Sequence, residues 1–154
     1  MKKFFTIVLL SIAFATNAQE KIKLPLIVSE NFQKQFKEVD QVGWSMFYRG
    51  KYNKDLRYEA EFLRGNSKYL VSYTQDGFVK AIQKSIPLNS LNNSIQEYIQ
   101  DNYPTFNVNE ATVIVKDNDT SYYNVSISSV SNFFILVFND KGTFLNLTSL
   151  GERI

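Results

Sequence analysis

The sequence predicts an α+β protein made of two tandem repeats, each one helix followed by a four-stranded antiparallel meander. Three observations carry that expectation. First, Tyr69-Leu70-Val71-Ser72-Tyr73-Thr74-Gln75-Asp76-Gly77-Phe78 returns 65 residues later as Phe134-Ile135-Leu136-Val137-Phe138-Asn139-Asp140-Lys141-Gly142-Thr143, and Tyr58-Glu59-Ala60-Glu61-Phe62 returns at the same offset as Tyr123-Asn124-Val125-Ser126-Ile127. Self-similarity of this kind implies two copies of one supersecondary unit packed side by side. Second, the apolar period in each copy changes from near 3.6 residues to 2. Third, short apolar segments alternate with turn-forming residues.

The elements follow in order. Leu24, Ile27, Val28, Phe32 and Phe36 fall at helical intervals, with Glu30, Gln33, Lys34 and Lys37 on the other face, so 24–38 reads as an amphipathic helix. Pro25 suits its first turn, where a missing N–H is tolerated. Leu91, Ile95, Tyr98, Ile99 and Tyr103 repeat the stripe before Pro104 stops the helix, at an offset of 67 rather than 65. Strands are expected at 44–48, 56–63, 69–74 and 78–85, and again at 111–116, 121–128, 133–139 and 143–149, with 86–90 as linker. Gly65-Asn66, Asp76-Gly77 and Lys141-Gly142 supply hairpin chemistry, since Gly and Asn accept positive φ.

Alternation within the strands assigns faces. Tyr58, Ala60 and Phe62 point one way and Glu59 and Glu61 the other, and the apolar side belongs under the helix. The third strand of each copy agrees on that side, but the opposite sides differ: Lys68, Leu70 and Ser72 in the first copy become Phe133, Ile135 and Val137 in the second. A strand apolar on both faces must have both covered, by the seam between repeats, by the C-terminal tail, or by a partner.

The N-terminus has Lys2 and Lys3, an apolar run from Phe4 to Phe14 and a small-residue stretch ending at Ala18. This is the order of a secretory signal peptide cut after Ala18, with an apolar run too short to span a bilayer. The expected organisation is 1–18 signal peptide, 19–86 first repeat and 87–154 second repeat, in a mature protein that is periplasmic or secreted and not membrane-bound. Cleavage removes two lysines and no acid, so 17 basic residues become 15 against 15 acidic ones. A neutral mature chain argues against a nucleic-acid partner.

Chemistry is restricted further. Without His or Cys, the usual metal ligands, thiol nucleophiles and imidazole bases are absent. Glu59 and Glu61 share a strand face, as a pair of catalytic carboxylates would, but the second copy places Asn124 and Ser126 there, so a solvated face is expected. Asp117-Asn118-Asp119 resembles a calcium loop but lacks the Gly and the bidentate Glu of an EF-hand, and reads as a turn. Lys51-Tyr52-Asn53-Lys54-Asp55 reads as an exposed loop. Trp44, the single tryptophan, reads as a core residue against the helix, or alternatively as an exposed anchor with Phe47 and Tyr48.

The order of a Leu-Pro helix with Phe32 and Phe36, then Val42-Gly43-Trp44, then Tyr58-Glu59-Ala60-Glu61-Phe62, then Tyr73 and Gly77, then a second helix ending in Asn102-Tyr103-Pro104, resembles the small exported PepSY-like proteins of the Bacteroidetes, grouped with the beta-lactamase-inhibitor-like fold. The resemblance spans 22–149. It implies sheets joined into one curved surface with helices on one face, and a protein-binding or inhibitory role; no beta-lactamase-contacting residue maps onto this chain. The expected function is that of a non-enzymatic binding protein without cofactor or metal. It would modulate or inhibit an envelope or secreted protein such as a peptidase through the open sheet face. Phe133, Ile135 and Val137 form its centre, Leu70 and Phe47 its edge, and Glu59, Glu61 and Lys68 set orientation. The alternative is a carrier or sensor of a small hydrophobic ligand held between helix and sheet, which requires a closed apolar cavity.

Overall fold

The computed structural model describes residues 22–50, 54–116 and 119–148. The signal-peptide reading of 1–18, the loop residues 51–53, the Asp117-Asn118 turn and the end of the last strand lie outside these residues.

Helix α1 (Leu26–Gln35) begins after Pro25, which sits at φ −58° just ahead of the first turn, and ends where the Phe36 N–H donates to the Phe32 carbonyl. Glu38, at φ 66°, then turns the chain toward the sheet. Helix α2 (Asn93–Asn102) is capped by the Asn92 side chain, which accepts from the Ser94 N–H at 2.9 Å. Both helices are shorter than the apolar stripes predict. The terminal stripe residues Leu24, Phe36, Leu91 and Tyr103 pack from the flanking turns instead.

The strands are β1 (Gly43–Arg49), β2 (Asp55–Arg64), β3 (Ser67–Thr74), β4 (Val79–Ile86), β5 (Asn107–Lys116), β6 (Ser121–Ser128), β7 (Phe133–Asn139) and β8 (Phe144–Thr148). They form one antiparallel sheet in sequence order. This corrects the expectation of two tandem helix-plus-meander repeats with the helices on one face: the described residues are mostly a single open eight-stranded meander carrying two short α-helices. Strands β4 and β5 pair through six positions, from Ala81 opposite Lys116 to Ile86 opposite Ala111, so no seam divides the sheet. Eight strands extend about 34 Å across. A ten-residue helix is about 15 Å long and about 10 Å wide, so two of them cannot form a layer over that sheet.

Each helix instead seals its own cluster. Val28, Phe32 and Phe36 bury against Tyr58, Ala60, Phe62, Val71 and Tyr73, with Phe32 and Phe36 set edge-on to the Phe62 ring at 5.3 and 4.9 Å. Leu91, Ile95 and Ile99 bury against Ala111, Val125, Ile127, Leu136 and Phe138, while Tyr98 stacks on Phe144 at 4.8 Å. A hairpin turn latches onto each helix: the Asn31 amide donates to the Gly77 carbonyl at 3.0 Å, and the Asn92 amide to the Lys141 carbonyl at 3.4 Å. Bulges in β3 with β4, β5 with β6, and β7 with β8 increase the local twist.

Candidate partner-binding face

The residues that alternate with the two clusters define the outer face of the sheet. Register places them in rows across the strands. One row runs Ser45, Glu59, Ser72, Ala81, Lys116; the next runs Gly43, Glu61, Leu70, Gln83, Ile114, Tyr122; a third runs Ser85, Thr112, Asn124, Val137, Asn146. Ile135 stands between Ser126 and Thr148, and Phe133 opposite Ser128. Phe133, Ile135 and Val137 thus share the outer face of β7, graded in exposure from 36% at Phe133, through half-buried Ile135, to 5% at Val137. Leu70 and Phe47 are half-buried on the same face, but both lie several strands away from β7, Leu70 on β3 between Glu61 and Gln83 and Phe47 on β1 beside Arg57.

Burial here comes without a covering helix among the described residues. Val137, Ile114 and Thr148 fall outside both helix clusters yet are at most 7% exposed. Val137 lies between Asn124 and Asn146 and Ile114 between Gln83 and Tyr122, so cross-strand neighbours shield both.

Glu59 contradicts the reading of a solvated carboxylate pair. It is 3% exposed, with the Arg49 guanidinium 4.0 Å away, and that guanidinium also stands 5.1 Å over the Phe47 ring. Glu61 is exposed and bonds Lys68 at 2.7 Å; this bond holds the Lys68 ammonium above its ordinary pKa, against a smaller opposing effect of desolvation. Two neighbouring carboxylates therefore have opposite environments, each with its own cation. Arg57 bonds Asp55 through one nitrogen, while its buried Nη1 and the buried Asn124 Oδ1 find no hydrogen-bond partner among the described residues. At the far side Lys116 stands 4.7 Å over the Tyr122 ring. Sequence reasoning missed Arg49, Arg57, Ile114 and Tyr122; the alternation of β5 carried the signal for Ile114, but the cross-strand neighbours did not follow from it.

Trp44 packs from the edge strand, 5.3 Å from Phe32 and 6.2 Å from Tyr73, as a half-buried part of the first cluster. Beside it an open cleft of about 1200 Å³ follows the start of β1, lined among others by Glu38, Asp40, Val42, Trp44, Glu61 and Leu63. No group of acidic side chains suited to a metal ion occurs among the described residues.

No family model and no curated protein matches this chain. Solved structures do resemble it. A protein from Bacteroides eggerthii assigned to the periplasm superposes with a TM-score of 0.70 at 16% identity, over 80% of this chain and 87% of that one. A DUF2874 family protein from Bacteroides uniformis gives 0.69 at 16% identity, over 80% and 88%. A BLIP-like protein from Bacteroides fragilis gives 0.64 at 11% identity, over 83% and 87%. At these identities the likeness is one of fold: the chain has the BLIP-like fold of these Bacteroides proteins.

Proposed function

We propose that this chain is an exported, non-enzymatic binding protein of the periplasm or the cell exterior, related to the PepSY-like group. Its outer sheet face engages a protein partner such as an envelope or secreted peptidase. The observation that carries the reading is the apolar run Phe133, Ile135, Val137 along β7, on a sheet face that neither described helix cluster uses; half-buried Leu70 shares that face from β3, four strands away. Phe133 is the accessible anchor and Val137 its rigid base; the exposed Glu61–Lys68 pair supplies orienting charge, and buried Glu59 acts only through Arg49, which it holds at the surface. The fold likeness to a BLIP-like protein and to a protein assigned to the periplasm supports both the class and the compartment. The carrier reading has less support, because the space between α1 and the sheet is filled by the Phe32, Phe36 and Phe62 rings.

The test is capture from envelope extract of the source organism on immobilised residues 19–154, comparing wild type with Phe133→Lys. Phe133 is exposed enough for that variant to stay folded. The expected result is a specific protein retained by wild type and reduced at least about tenfold by the variant, a loss equivalent to about 1.4 kcal/mol. Equal retention by both rejects the outer face as the binding surface.

A further inference from the structure

Strand β1 ends the sheet and pairs with β2 alone among the described residues, so the backbone N–H and C=O groups along its outer side form a template for another strand. Its side chains at 44, 46 and 48 share one side. Helix α1 reaches Trp44 through Phe32, but Met46 and Tyr48 lie beyond it, 47% and 57% exposed. An edge strand of this length normally carries a device against pairing, such as proline or an inward charge, and β1 has no proline and only Arg49 at its far end.

The start of the strand is charged differently. The cleft there gathers the carboxylates of Glu38, Asp40 and Glu61 against one cation, Lys68, which Glu61 already holds. Val42, Trp44 and Leu63 give it apolar walls, Leu63 being 71% exposed. Gly43 adds no side chain, and a Cβ at that position would meet only the Glu61 carbonyl, at 3.7 Å, so the entrance to the edge is unobstructed. Strand β8 pairs with β7 alone among the described residues, but its five residues Phe144–Thr148 include no charged side chain, so it lacks a comparable counter-charge.

From the coincidence of an unpaired edge, an exposed apolar pair along it and an acidic cleft at its start, we infer that β1 receives an extended segment of a partner protein by strand addition. Alternate apolar side chains of the segment lie on Met46 and Tyr48, and a Lys or Arg of the segment enters the cleft beside Glu38, Asp40 and Glu61. Main-chain hydrogen bonds give affinity in this mode, and the side-chain sites give specificity. The inference rests on the reading of the chain as a binding protein, but it uses a surface separate from Phe133, Ile135 and Val137.

The test uses isotope-labelled residues 19–154 and three synthetic peptides of alternating threonine and valine: one flanked by lysines, one flanked by glutamates, and the lysine form with alternate amides N-methylated. The lysine peptide is expected to shift the amide resonances of 43–49 and to bind at least about tenfold more tightly than the glutamate peptide. Methylation should abolish binding by removing the donors that complete the ladder. Glu38→Gln combined with Asp40→Asn, both in an exposed loop, should reduce the preference for lysine at least about threefold without changing the spectrum of the free protein. Absence of binding at about 1 mM, shifts centred on β8 or the outer face, equal affinity for the two charged peptides, or undiminished binding of the methylated form would each overturn the inference. Failure here with Phe133-dependent capture intact removes the edge site alone; failure of both removes the binding-protein reading.

Discussion

Tyr73 is fully buried, and its hydroxyl finds no hydrogen-bond partner among the described residues. Burial pushes its phenol well above the ordinary value. A raised pKa means that the folded state favours the protonated form, so the associated stability is complete below about pH 10 and declines as pH rises further. Lys68, raised by its bond to Glu61, acts in the same direction but weakly, because that pair is more than half exposed. With no His or Cys in the chain, thermal midpoints should be flat from about pH 6 to 9 and fall above about pH 10. Tyr73→Phe should flatten the alkaline fall, while leaving neutral-pH stability unchanged or raised by up to about 1 kcal/mol, since it removes an unsatisfied buried group. A loss of more than about 2 kcal/mol in Tyr73→Phe would mean that the hydroxyl has a partner after all. The outer face makes a similar contrast at single residues: Val137→Asp should cost about 3 kcal/mol or more and Phe133→Asp less than about 1, measured by urea unfolding. The apolar nature of both residues was legible in the alternation of β7. Their different burial was not, because it depends on the flanking strands: Val137 stands between Asn124 and Asn146, whereas Phe133 pairs with Ser128 alone among the described residues.

Hairpins and helices were the most legible elements, since each carries its own local chemistry. Asp76-Gly77 and Lys141-Gly142 mark turns where both glycines adopt φ near +80°. What the residues did not disclose is that these turns also dock on the helices. A Cβ on Gly77 would stand 2.8 Å from the Asn31 amide nitrogen and 3.1 Å from the Ile27 carbonyl, whereas a Cβ on Gly65 would meet nothing within 4 Å. Gly77→Ala should therefore destabilise by about 2 to 4 kcal/mol and Gly65→Ala by about 1. Equal losses would show that backbone conformation alone matters and that the helix latch contributes nothing. Strand β5 was the least legible, starting at Asn107 rather than near Ala111. Asn107, Asn109 and Glu110 are polar, and the bulge between Val108 and Glu110 interrupts the alternation by which a strand is recognised.

At the scale of the molecule, the repeated strand patterns were visible in the residues, but the joining of β4 to β5 was not. A period of two says which way a side chain points and nothing about which strand edges meet. Since β4 and β5 pair over six positions, the sheet should unfold as one unit. Trp44 fluorescence, which reports the first cluster alone, and far-ultraviolet circular dichroism, which reports both, should give coincident denaturation curves. Two separated transitions would contradict a continuous sheet. Whether that sheet face binds a protein is read by hydrogen-exchange footprinting of residues 19–154, alone and with the captured partner. The expected result is added protection at 68–72 and 133–137 with no change along α1 and α2. Protection confined to the helices would contradict it.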